Sequence, residues 1–206
     1  MPSSSKVTPN SRGARSRELV LDAAERVMAE HGFEATTIGR LVSEAGIPLS
    51  SVYHYFGSKE GVLLAVLERG AQRFYEDLPD AQPRSGTPTE HLELVLSAAA
   101  RTLERHPDFL RLLIVFALQP GSSSAAEVAS VVAHVRELAL ERLRREIAVA
   151  FDQDPGDPAT DYLAHFALSV FDGAFVASRA DRSFTLEELL QTLPAALVAI
   201  HRALTA

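Results

Sequence analysis

The chain has 206 residues, 47% of them hydrophobic and 23% charged, with a formal net charge of -7. That length and apolar content suit a small N-terminal domain followed by one larger domain with its own core. With no cysteine there is neither a disulfide framework nor a thiolate metal site. No apolar run approaches the roughly 20 residues that cross a bilayer, and the N-terminus lacks the apolar core of a secretory signal, so a cytoplasmic protein is expected.

Residues 1–13 are rich in Ser, Pro, Asn and Gly, a composition that predicts a mobile segment. Met1–Arg17 holds four bases (Lys6, Arg12, Arg15, Arg17) and no acid. The segment is therefore either a solvated tail or a basic arm for a polyanion. A first helix is predicted over Ala14–His31, with Leu19 or Val20, Ala23, Ala24, Val27 and Met28 inward and Arg17, Asp22, Glu25 and Arg26 outside. Gly32 stops it, and Phe33 should plug the junction that follows.

Thr36–Lys59 reads as helix, tight turn, helix, then the start of another helix. Thr36 or Thr37 can cap the first, because a threonine hydroxyl accepts from an amide of the opening turn. Ile38, Leu41 and Val42 share its buried face, and Ala45-Gly46 closes it. Pro48, lacking an amide hydrogen, fits the first turn of a short helix over Leu49–Phe56. Such spacing suits a helix-turn-helix, and equally two packed helices of an ordinary all-α protein.

Ser58 should cap a fourth helix that runs to about Glu76, with Val62, Leu63, Val66 and Leu67 on its apolar side. Leu78–Pro88 reads as a loop. Beyond it, Thr87–Glu90, Ser124–Glu127 and Thr185–Glu188 have capping-box spacing, and Asp157-Pro158 starts a helix similarly. The implied helices cover about 88–106, 107–118, 124–151, 158–180 and 186–204, with a break at Pro107 and a kink at Pro194. The fold predicted is all-α, about nine helices: a three-helix domain over 14–60, and a fourth helix leading into a helical bundle within 61–206.

Thr36–Leu63 also resembles the DNA-binding domain of TetR-family transcriptional regulators. Thr36 or Thr37, Leu41, Ala45, Gly46, Ile47, Tyr53, Tyr55, Phe56, Lys59 and Leu63 fall on that family's pattern. The resemblance covers Ser16–Leu67 closely and is only architectural further on. It implies that Leu49, Ser50, Ser51, Tyr53 and His54 face a DNA major groove, with Tyr55 at its wall or in the core. Serine, tyrosine and histidine can donate to phosphate or base edges, and leucine can touch a thymine methyl. Thr37 and Arg40 are expected beside the phosphates, and Lys59 should add charge where helix-start amides already attract an anion. Pro48, Ser50 and Gly39 depart from the pattern, which bears on base preference.

Charge distribution agrees with a DNA partner despite the acidic total. Residues 1–60 balance seven bases against seven acids, while 61–206 carry 13 bases and 20 acids. Affinity for DNA depends on local phosphate neutralisation.

In the second domain the resemblance implies a small-molecule effector site and a homodimer formed through the last two helices. Phe109, Leu113, Phe116, Gln119, His134, Tyr162, His165, Phe166, Ser169 and Asp172 supply aromatic and polar groups at helical spacing for a pocket; His165 and Asp172 are otherwise satisfied core or surface residues, and the phenylalanines fit core packing first. Val170, Ala174, Ala177, Leu190, Leu193, Leu197 and Ile200 form candidate interface stripes, or else a core within one chain. No catalytic, metal or cofactor motif appears: there is no H-E-x-x-H, nucleophile elbow, P-loop or dinucleotide fingerprint. The expected protein is a ligand-responsive homodimeric repressor of a near-palindromic double-stranded operator. The alternatives are a DNA-binding regulator without an effector, and an activator.

Overall fold

A computed structural model describes residues 9–79, 84, 86–117, 125–181 and 183–206, with side chains from Gly13 in the first helix and Ala129 in the seventh. Among these residues the protein is all-α. The helices are α1 (Pro9–His31), α2 (Ile38–Ala45), α3 (Leu49–Phe56), α4 (Lys59–Asp77), α5 (Pro88–Arg105), α6 (Pro107–Ala117), α7 (Ala125–Phe151), α8 (Pro158–Ala180), α9 (Leu186–Leu190) and α10 (Leu193–Thr205). They form two compact units, Met1–Ala71 with Asp108–Val132, and Gln72–Pro107 with Ala133–Ala206. The first unit ends within α4, at Ala71, and takes in α6.

In the first unit, Val20, Leu21, Ala24, Val27 and Met28 of α1 pack in a core with Leu41, Val52, Val62, Leu63, Val66 and Leu67. α1 starts at Pro9, so residues 9–13 are helical where composition predicted a mobile arm. At Gly13 the helix passes close to Tyr55: a Cβ there would lie 3.5 Å from its hydroxyl. α6 buries Phe109, Leu110, Leu112 and Leu113. A side chain at Gly70 would run into the Phe109 ring, and Phe116 meets Phe33 edge to face with centroids 5.4 Å apart.

The outward face assigned to α1 is not all solvated. Glu18, Asp22 and Glu25, at i, i+4 and i+7, converge on Arg69 of α4, which is only 9% exposed. Arg69 donates to Glu18 at 3.0 Å, Asp22 at 2.7 Å and Glu25 at 2.6 Å. Burial by itself would lower the Arg69 pKa, but these carboxylates outweigh it and hold the group above its ordinary value.

In the second unit, α9 and α10 each pack on both α5 and α8. Thr87–Glu90 and Thr185–Glu188 form complete capping boxes, and the Asp157 side chain accepts from the Ala159 amide. Ser124, and the Glu127 side chain with it, lie outside the described residues. The last predicted helix is divided rather than kinked. α9 ends at Leu190 and α10 resumes at Leu193 with Pro194 in its first turn, where a missing amide hydrogen is tolerated.

Candidate nucleic-acid interface

α2 and α3 are positioned by their ends. Thr37, extended and exposed, accepts from the Arg40 amide at 3.2 Å and is the cap of α2. Thr36 is buried instead and donates its hydroxyl to the Gly32 carbonyl at 2.8 Å. Gly46 takes the left-handed conformation (φ 64°) and returns its amide to Val42. Pro48 stands one residue before α3, as its N-cap, rather than inside the first turn. The next turn is tight: a Cβ on Gly61 would collide with the Phe56 carbonyl, so α4 can follow α3 at this distance only with glycine there.

With eight residues, α3 has one fully buried anchor, Val52. Leu49 and Tyr53 are about half exposed, at 49% and 50%, while Ser50 and His54 are also exposed. These four, at i, i+1, i+4 and i+5, make one outward face. Ser51 is half-buried at its edge. Tyr55 and Phe56 are half-buried too, with the Tyr55 ring edge-on to His54 and to Phe56. The outward face offers one aliphatic surface, two hydroxyls and an imidazole. It carries no arginine or asparagine, the side chains suited to bidentate base contact.

Two predicted phosphate contacts are engaged inside the unit. The Lys59 ammonium donates to the Phe33 carbonyl at 3.1 Å and lies 4.1 Å from that ring's centre, so it ties the start of α4 to the α1–α2 link. The Arg40 guanidinium lies 2.6 Å from His31 Nε2. Arg40 is exposed, as are Arg15 and Gly39, and Gly39 has open space over its backbone.

The ten candidate pocket residues do not share one environment. Phe109 and Leu113 are buried in the first unit and Phe116 is half-buried there. Gln119 lies outside the described residues. In the second unit His134, Tyr162, His165 and Ser169 are exposed. Phe166 is half-buried, and Asp172 is paired with Arg136 at 2.7 Å. Several candidate interface residues are likewise reassigned. Ala174, Leu190, Leu193 and Leu197 belong to the protomer's own core, because α8, α9 and α10 bury them against each other and α5. Val170 and Ile200 are half-buried and Ala177 is exposed.

The sequence reading missed the Arg69 cluster and a buried Glu146–His91 pair (Glu146 Oε2 to His91 Nε2, 3.4 Å). Glu146 sits within the apolar stripe Leu143, Ile147, Ala150, and a carboxylate there was a legible signal. Among the described residues no cluster of His, Asp or Glu could hold a metal, and no helix is long and apolar enough to cross a membrane.

A short helix with a polar outer face, set by a tight turn against a second helix on a buried three-helix core, defines a helix-turn-helix DNA-binding unit. Residues 20–66 match the sequence profile of the bacterial regulatory proteins of the tetR family. Over 161 residues the chain is 26% identical to the HTH-type transcriptional regulator BetI of Rhizobium meliloti, covering 78% of this chain and 76% of that one. It is 36% identical over 70 residues to the HTH-type transcriptional repressor AcnR of Corynebacterium glutamicum, a match spanning 34% of this chain and 37% of AcnR. The structure of the SmeT–triclosan complex has the same fold, with a TM-score of 0.67 at 22% identity over 89% of this chain and 90% of that one. The N-terminal unit therefore carries a DNA-binding domain of the TetR-family type, and the relatives named here are transcriptional regulators rather than enzymes.

Proposed function

We propose that the protein is a homodimeric repressor that binds a near-palindromic operator and is released by a small-molecule effector. The observation that carries this reading is the outward face of α3, Leu49, Ser50, Tyr53 and His54. One such face covers one half-site, so two copies are needed to reach successive major grooves about 34–36 Å apart. A second copy would be met by apolar side chains left exposed on α8 and α10, Tyr162, Val176 and Leu204, each about half exposed. AcnR is named a repressor, and SmeT was solved with triclosan, which supports repression and effector binding as the reading for this chain. Release follows if the effector favours an arrangement whose headpieces no longer match the operator spacing.

The basic start of α1 joins this interface through Arg15, with α1 passing beside Tyr55 of α3. Arg15→Ala then lowers the slope of log affinity against log salt by about 0.9.

Fluorescence anisotropy on DNA upstream of the protein's own gene tests the whole reading. Half-maximal binding should require dimer, and an effector should weaken it at least tenfold. A compound that binds the protein and leaves DNA affinity unchanged refutes the coupling; a strictly monomeric protein refutes the operator geometry.

A further inference from the structure

Glu146 of α7 and His91 of α5 are the most deeply buried ionisable side chains of the second unit, at 1% and 2% exposure. Their closest approach, 3.4 Å, is too long for a good hydrogen bond. Arg142 brings its Nε to 2.8 Å from Glu146 Oε1, but without hydrogen-bond alignment, and its other end donates to the Pro79 carbonyl at 2.7 Å. Among the described residues neither oxygen of Glu146 receives an aligned donor, and His91 Nε2 has no hydrogen-bond partner. An ionised carboxylate can accept about four hydrogen bonds. A buried carboxylate held by one unaligned ion pair leaves most of that capacity unused.

Tyr75 of α4 meets α7 about three turns earlier, close enough to Arg142 and Arg145 to feel their charge, and its hydroxyl has a long 3.4 Å contact with the Val135 carbonyl. Burial, reinforced by Glu141, pushes its pKa well up, so it remains a protonated donor. Two helices, α5 and α7, thus bring polar groups to one interior place where they do not satisfy each other. That is the signature of a site completed by something else rather than of a structural ion pair.

We infer that Glu146 and His91 form the recognition centre of the effector site, and that it takes a non-anionic small molecule bearing an N–H or O–H donor. This rests on the effector-released reading above and names the class of effector. A hydroxyl, amide or ammonium completes Glu146; a carboxylate brought to the same place faces Glu146 across a few ångströms of low dielectric and is rejected.

The test uses full-length protein and matched amines, alcohols, primary amides and carboxylates on phenyl, indolyl and octyl skeletons, followed by thermal shift and equilibrium dialysis. For at least one skeleton the donors bind, and the carboxylate binds at least tenfold more weakly. Glu146→Leu loses the donors at least tenfold, and a cooperative thermal melt shows that the variant is folded. The isosteric Glu146→Gln, which keeps the shape, loses the preference for amine over alcohol. Carboxylates that bind as well as donors overturn the inference, as do donors that no skeleton renders detectable or a preference that survives in both variants. Anisotropy run in parallel separates the two readings. A carboxylate that releases DNA sinks this inference and leaves effector release standing; Glu146-dependent donors that leave DNA affinity unchanged uphold the site and sink the release.

Discussion

Arg69 in the first unit and Glu146 in the second are both buried charges on long helices, yet their surroundings differ. Arg69 is met by three carboxylates from one face of α1, each within 3.0 Å. Glu146 has an unaligned arginine and a distant histidine. The first charge locks two helices of the DNA-binding unit at a fixed separation, which a reading head must keep. The second is held in an unsatisfied state, which a rigid scaffold would not retain and a ligand site can use. Burial of a charge therefore says little until its partners are counted.

The sharpest way to break this comparison is Arg69→Ala. It leaves Glu18, Asp22 and Glu25 gathered without their shared cation, and it should cost about 2–4 kcal/mol in chemical denaturation, toward the low side because the acids are partly hydrated. A change under half a kcal/mol would show that the cluster is ornamental. Gly70→Ala forces a methyl into the Phe109 ring and should cost about 1–3 kcal/mol. If it is neutral, the packing of α6 on α4 is looser than described.

Smaller effects follow at the reading head. Thr37→Ala removes the cap of α2 and should cost about 1 kcal/mol. Tyr53→Ala, at an exposed position, should weaken operator binding with stability changed by less than about 0.5 kcal/mol, which anisotropy and denaturation on one sample would check. The smallest effect concerns the capping boxes of the second unit. The Thr87 and Thr185 amides, then their hydroxyls, hold Glu90 and Glu188 below the ordinary value of 4.5. A carboxyl depressed on folding stabilises fully above its unfolded pKa, and this contribution fades as pH falls through the folded one. Replacing both with Gln should flatten the stability curve below about pH 4.5; an unchanged curve would mean that the caps carry no pH dependence.

Much of the DNA-binding unit was legible because its signals are local. Thr37, Gly46, Ser58 and the Ile38–Leu41–Val42 stripe act within a few residues of themselves, so order along the chain suffices to read them. Lys59 shows the limit of such signals. Its position at a helix start suggests phosphate, but its partner is the Phe33 carbonyl, 26 residues away in sequence. The stripes of α8 to α10 failed similarly: Leu190, Leu193 and Leu197 have the periodicity of an interface, and periodicity does not distinguish another chain's core from the chain's own.

By itself, then, the amino-acid order determined the all-helical class, most helix ends and the helix-turn-helix with its polar outer face, since caps, glycines and apolar spacing are short-range constraints on φ, ψ and burial. Only the tertiary structure decided that α6 sits with the headpiece, that Arg69 is clasped by α1, and that Glu146 lies buried and unsatisfied. Those outcomes depend on which distant side chains come within hydrogen-bonding distance, a property of three-dimensional packing that no local pattern encodes.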